Sequence, residues 1–213
     1  MAYPIIFFDL DGTLIDPKIG ITKAAQHALK RMGIEEDTEN LLKFIGPPLH
    51  KSFQEYYGFS EEKAMEGVLH YREYFHPTGM YESTVYPDII AVLTNLQQSG
   101  NRLLVVTSKP TWIAEKIVQH HGLDTFFEKV VGSQPDLSNA DKTDLVAEAL
   151  ALFPDQPKYS FVMIGDRKHD IFGAQANAID SVGVYYGYGA EDEISKAKPT
   201  HIVKNVKDLL QYL

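Results

Sequence analysis

Ile5-Ile6-Phe7-Phe8-Asp9-Leu10-Asp11-Gly12-Thr13-Leu14-Ile15-Asp16 decides the architecture. A continuous apolar run that breaks into turn chemistry reads as a strand buried on both faces, the kind found at the centre of a parallel sheet. Side chains two apart on a strand share a face. Asp9 and Asp11 therefore point to one place if the extended geometry persists, although Gly12 signals that the chain is already turning. In open α/β sheets ligands gather beyond the carboxyl ends of the strands. Two carboxylates there disfavour each other's ionisation unless something positive stands between them, and a hard cation with oxygen ligands is the natural partner. The competing reading is a polar turn in which Asp9 caps the next helix.

Working outward, Ile21, Ala24, Ala25, Ala28, Leu29 and Met32 fall at helical spacing and Gly33 closes the run. Short helices are expected around Leu41–Ile45 and Pro48–Tyr57. A longer one follows Ser60-Glu61-Glu62, an N-cap with acids in the first turn. From Asp16 to Gly79 the pattern holds helices and no strand. After Tyr86 it alternates. Helices are expected at Asp88–Leu96, Trp112–His120, Lys142–Leu152, Ile171–Ala178 and Asn205–Leu213. Strands are expected at Arg102–Thr107, with Ser108-Lys109-Pro110 turning out of it, at Phe126–Gly132, Tyr159–Ile164, Asp180–Val184 and Thr200–Ile202. Alternation of this kind means βαβ crossovers: an α/β, Rossmann-like, doubly wound parallel sheet with a small α-helical domain inserted after the first strand. The boundaries read 1–16 with 80–213 for the sheet domain and 17–79 for the insert. The polar stretch Gln134–Asp141 is expected as a surface loop approaching the site.

The chain has 213 residues, a net charge of −9 and no cysteine. Thiol catalysis and disulfides are excluded, and a nucleic-acid polymer would be repelled. No apolar run reaches the roughly 18 residues of a membrane span. The N-terminus carries no basic, apolar leader pattern, so a cytoplasmic location is expected.

Three later segments carry polar residues at strand or helix ends. Thr107-Ser108 can hold an anion's oxygens or cap a helix. Asp166 and Asp170, in Gly165-Asp166-Arg167-Lys168-His169-Asp170, can bind a cation or cap a helix. Lys142 opens a helix, where positive charge opposes the macrodipole; it either points at an anion or is an ordinary solvated lysine.

Taken together, Asp-x-Asp-Gly-Thr, Thr-Ser, Lys and Gly-Asp-x-x-x-Asp, in that order, resemble the haloacid dehalogenase-like superfamily of phosphohydrolases over essentially the whole chain. The helical insert, Ile45-Gly46-Pro47-Pro48-Leu49 and Ile164–Asp170 resemble the branch holding phosphoglycolate phosphatases and 5′-nucleotidases. The resemblance implies roles. Asp9 matches the nucleophile and Asp11 the general acid/base, which also lends its carbonyl to Mg²⁺. Asp9, Asp166 and Asp170 complete the metal set. Lys142 matches the cation that offsets charge between Asp9 and the phosphoryl group. Thr107 and Ser108 match the phosphate donors, with Gly12 and, in the insert acting as a cap, Lys51 as further substrate contacts; His50 and Arg72 are candidates beside it. Lys109 is left without a role beyond drawing in an anion or decorating the turn. The implied partner is a small phosphorylated metabolite, phosphoglycolate or a nucleoside 5′-monophosphate, handled by a monomer or homodimer away from membranes. The same motifs also fit a β-phosphoglucomutase-type phosphomutase or a phospho-aspartate module without turnover.

Overall fold

The computed structural model describes residues 3–134 and 139–213. The opening apolar run forms β1 (Ile5–Phe8), buried throughout. The two-residue strand β2 (Ile15–Asp16) precedes three helices, α1 (Lys18–Arg31), α2 (Leu49–Tyr57) and α3 (Glu61–Phe75). β3 (Thr84–Val85) pairs with β2, and α4 (Ile89–Gln98) returns the chain to the main sheet. There follow β4 (Arg102–Pro110), α5 (Thr111–His120), β5 (Lys129–Ser133) and α6 (Lys142–Ala151). The remainder is β6 (Phe161–Gly165), α7 (Lys168–Ala176), β7 (Asp180–Val184), α8 (Glu191–Ala197) and β8 (His201–Val203).

The six-stranded sheet has the order β5-β4-β1-β6-β7-β8 with every neighbour parallel. The chain builds outward on one side of β1, then returns to build on the other. The reversal falls between β1 and β6, where an open α/β sheet leaves a crevice at its carboxyl edge. Ile5 and Phe7 lie in one core layer with Leu104, Val106, Met163 and the α6 residues Leu145, Val146 and Ala149. The Phe7 and Phe161 rings pack 5.6 Å apart. β1 is thus both the apolar centre of the sheet and the strand that delivers Asp9 to the crevice.

By compactness the chain divides into two units, 1–16 with 85–213, and Pro17–Thr84. The second reaches past Gly79 because a 3₁₀ turn at Gly79–Tyr81 folds back on α1, with Gly20 N–H donating to the Glu82 carbonyl at 3.0 Å. Its interior is aromatic: Phe53 sits 5.1 Å from Phe44 and 6.1 Å from Phe59 between ring centroids. Tyr71 is buried, while Tyr56, Tyr57 and Tyr74 are half-buried, as core and rim positions should be. Ser60 caps α3 by accepting from Lys63 N–H.

Several elements depart from the sequence expectation. β4 does not end at Thr107 but runs on to Pro110, since Thr107 pairs with Gly132 and Pro110 with the very next residue, Ser133. Ser108 and Lys109 are the inserted residues of a bulge. Phe126 and Phe127 stay outside β5, and Phe127 packs its ring edge against Phe8 instead. Tyr159 belongs to a 3₁₀ turn before β6, and the expected helices at Leu41–Ile45 and Asn205–Leu213 are also 3₁₀, the geometry favoured in short pieces. The strands β2 and β3 and helix α8 have too little apolar periodicity to be read from sequence. Of the Gln134–Asp141 loop, residues 135–138 lie outside the described residues. No helix among the described residues is long and apolar enough to cross a membrane.

Phe7→Ala should cost about 3–5 kcal/mol of stability, the range for emptying a filled aromatic site; urea unfolding monitored by far-UV circular dichroism measures it.

Candidate active site

β1 does not release the chain at Phe8. Asp9 N–H continues the ladder, donating to the Ile164 carbonyl of β6 at 2.9 Å, so the Asp9 backbone is fixed between the two strands that border the crevice. Lys142 reaches the same place from the first turn of α6. Its Nζ lies 2.9 Å from Asp9 Oδ1 and 2.8 Å from Asp170 Oδ1, and donates to the Val106 carbonyl at 3.0 Å. Of the two readings of this lysine, the structure holds the anion-facing one: only 4% of its side chain is exposed. Burial alone would push the ammonium's pKa down, but Asp170 and Asp9 outweigh it and hold the group firmly charged. Their carboxylates also offset the unfavourable placement of a cation at a helix start.

Asp166 follows β6 directly and is 1% exposed. Tyr188 N–H donates to its Oδ2 at 2.7 Å, whereas Oδ1 has no hydrogen-bond partner among the described residues. Asp170 is held at Oδ2 by Arg167 N–H, 3.0 Å away, and so caps α7 while its other oxygen meets Lys142. Arg167 in turn is fixed by Glu193 of α8 at 3.0 Å. Burial, then Asp170 and Asp9, push the Asp166 pKa up to about 8. Burial raises Asp170 to about 6 against the pull of Lys142. One carboxylate oxygen from each of Asp9, Asp166 and Asp170 lies within 4.8 Å of the others. Lys142 neutralises two of these acids and leaves Asp166 with a buried acceptor facing no donor. An unpartnered carboxylate oxygen among converging carboxylates fits a hard divalent cation.

The turn after Asp9 is tight: Gly12 N–H donates to the Ile15 carbonyl at 2.8 Å and Ile15 N–H to the Leu10 carbonyl at 3.1 Å. Gly12, expected among the substrate contacts, therefore commits its amide to the loop. What it supplies is room. It has φ +82°, and a Cβ there would lie 2.2 Å from Asp166 Oδ2. Asp11 sits beyond the strand, and its Oδ2 is ion-paired to Lys109 Nζ at 2.9 Å. Burial raises the Asp11 pKa although Lys109 pulls it down. Thr107 is buried in the neighbouring strand just before its bulge, its Oγ1 accepting from Lys109 N–H at 3.3 Å. The Ser108 hydroxyl donates to the Ala140 carbonyl at 2.9 Å. The structure thus gathers Asp9, Asp11, Gly12, Thr107, Ser108, Lys142, Asp166 and Asp170 along the carboxyl edge of one sheet. Lys51 is exposed on α2, in the other unit, as His50 and Arg72 are there half-buried.

The segment Tyr185-Tyr186-Gly187-Tyr188-Gly189 after β7 joins the site without being among the residues that the sequence motifs single out. Tyr188 binds Asp166 through its amide and Asp16 through its hydroxyl, and the Tyr186 hydroxyl donates to the Thr13 carbonyl at 3.0 Å. A Cβ at Gly187 would fall 2.3 Å from the Gly12 carbonyl oxygen. Two glycines among tyrosines just past the carboxyl end of a strand are the signal that marks it.

The family described as haloacid dehalogenase-like hydrolase matches residues 6–184. The chain belongs to that family. Among its relatives within the haloacid dehalogenase-like hydrolases, a 5′-nucleotidase from Pseudomonas aeruginosa is 44% identical over all of this chain and 96% of its own length. A phosphoglycolate phosphatase from Vibrio parahaemolyticus is 29% identical over 97% of this chain and 94% of its own. The solved structure of protein tyrosine kinase A (PtkA) from Mycobacterium tuberculosis superposes with a TM-score of 0.85 at 34% identity, covering 99% of this chain and 97% of that one.

The raised acids give a pH signature. From the ordinary aspartate value of 3.8 up to about 8, native Asp166 binds more proton than the unfolded chain does. Its contribution therefore favours the fold at low pH and is lost as pH rises through about 8. A divalent cation needs the deprotonated acid, so magnesium should raise the melting temperature by several degrees at about pH 8.5 and less at about pH 6. EDTA should reverse the shift and Asp166→Asn should remove it; thermal melts with and without magnesium at both pH values measure this.

Proposed function

We propose that the chain is a Mg²⁺-dependent phosphomonoesterase acting on a small phosphate ester, a nucleoside 5′-monophosphate or phosphoglycolate, through a phosphoryl group carried on Asp9. The observation that carries the reading is the position of Asp9: at the strand reversal, 2.9 Å from a buried lysine, in a cluster with an acid whose inner oxygen lacks a donor among the described residues. A nucleophilic carboxylate needs such neighbours, because the attacked group brings further negative charge into a poorly solvated place.

Asp9 attacks phosphorus in line as the bond to the leaving oxygen breaks, and Asp11 gives that oxygen a proton. Asp11 then takes a proton from the water that cleaves the aspartyl phosphate and regenerates Asp9. Lys142 balances the charge on Asp9 throughout, while Thr107 and the Ser108 amide orient the phosphoryl oxygens. Asp9, Asp166 and the Asp11 carbonyl would hold the metal, with Asp170 beside them; bound Mg²⁺ would supply charge stabilisation to the phosphoryl oxygens. The helical unit is assigned the choice of leaving group, with Lys51 as the contact to test. We place this activity in the cytoplasm, in a monomer or homodimer working on free metabolites rather than on polymers or membranes.

The names of the relatives favour the nucleotide among the two esters, since the 5′-nucleotidase shares more of its sequence with this chain than the phosphoglycolate phosphatase does. Initial rates of phosphate release from UMP, dTMP, phosphoglycolate and pyridoxal phosphate, with magnesium and with EDTA, test the reading. Release should need magnesium, and Asp9→Asn should bring it down to background. Wild-type turnover in that variant, or transfer of phosphate to tyrosine or to a sugar without release, would overturn the assignment.

A further inference from the structure

Lys109 is a charged residue of the crevice that the proposed chemistry leaves idle. Its ammonium sits 2.9 Å from Asp11 Oδ2, and only 9% of its side chain is exposed. A lysine that gathers anions from solvent stands in solvent; this one is folded inward. It arrives there through the bulge in β4. Where the partner strand advances by a single residue from Gly132 to Ser133, β4 advances from Thr107 to Pro110. The extra residues break the alternation of side chains and re-aim one of them, a common use of bulges next to functional sites.

The bulge is held from both sides. Lys109 N–H donates to Thr107 Oγ1, and the Ser133 hydroxyl donates to the Ser108 carbonyl at 2.9 Å. The Ser108 hydroxyl is tied to the Ala140 carbonyl. A Cβ at Gly132 would lie 2.5 Å from the Lys109 carbonyl oxygen, so the neighbouring strand is pared back to admit this backbone. The ion pair has a definite sidedness. Lys109 engages Asp11 Oδ2, whereas Asp11 Oδ1 is buried with no partner among the described residues.

We propose that Lys109 is a positioning residue for Asp11, pinning one carboxyl oxygen so that the other is the only site from which a proton is given or taken. The inference rests on the phosphomonoesterase reading. In the first half-reaction the Oδ1–H bond of Asp11 breaks and its proton joins the ester oxygen, which keeps the electron pair of the broken P–O bond. Oδ2 meanwhile stays the acceptor of the Lys109 hydrogen bond. Without Lys109 the carboxyl rotates among orientations, and few of them reach the leaving oxygen.

The test exploits how strongly the leaving group needs a proton. A p-nitrophenolate leaves unaided, whereas an alkoxide does not. In Lys109→Met, kcat/KM for an alkyl phosphate should fall by about 10-fold or more, part of the 10²–10⁴ that general acid catalysis supplies. The value for p-nitrophenyl phosphate should stay within about threefold, since proton transfer adds little there. Lys109→Arg should recover part of the alkyl rate. In an Asp11→Asn background, Lys109→Met should add no further selective loss, because the two residues act as one unit. The ratio of the two rates cancels any difference in folded fraction, and Lys109→Gln carries the same expectation if the methionine variant does not fold. An unchanged ratio overturns the positioning role alone. A wild-type protein that hydrolyses neither ester overturns the phosphatase reading and this inference with it.

Discussion

A single ammonium group, Lys142 Nζ, stands between Asp9 and Asp170 inside the protein, and much of the site follows from that contact. Three acids close together and nearly dry would each suppress the others' ionisation. Lys142 keeps two of them usable and hydrogen-bonds the Val106 carbonyl of the adjacent strand. It also ties α6 to the tip of β1. Breaking a buried ion pair by removing one member is costly, because the remaining charge stays desolvated. The charge arrangement and the packing of α6 are therefore one structure, not two.

The strand order explains why the acids meet. β1 lies between β4 and β6, so the loops that leave these strands share one edge. Asp9 and Asp166 leave from neighbouring strands, and Thr107 lies just before the bulge in the strand on the other side. Asp170 enters one helical turn later, doubling as the cap of α7. A fold in which successive strands neighboured each other in simple order would have separated these residues.

Most of this was legible in the sequence for a physical reason. A buried parallel strand is a continuous apolar run, and its first polar residue marks the carboxyl edge, which is how Asp9, Thr107 and Asp166 could be placed. Lys142 stood out because its charge is wrong for a helix start. What stayed hidden depends on register and close approach. The β4 bulge at Ser108–Lys109 is set by pairing with Gly132 and Ser133, which no local pattern reveals. Helix α8 is short and begins with three acids, so it reads as a polar loop, yet Glu193 anchors the arginine beside Asp166. The Tyr185–Gly189 turn carries its glycines past a strand end, but the close approach to Gly12 and Asp166 that gives them meaning is set by the fold.

That turn has a further meaning. The walls around Asp166 are made of main chain: Gly12 on one side, Gly187 and Gly189 on the other, with a hypothetical Cβ at Gly189 falling 1.8 Å from the Asp166 carbonyl oxygen. A recess built from bare backbone is closed to substitution at its walls. A side chain at Gly12 or Gly187 would collide with Asp166 itself, so the acid keeps its place only while its neighbours stay bare.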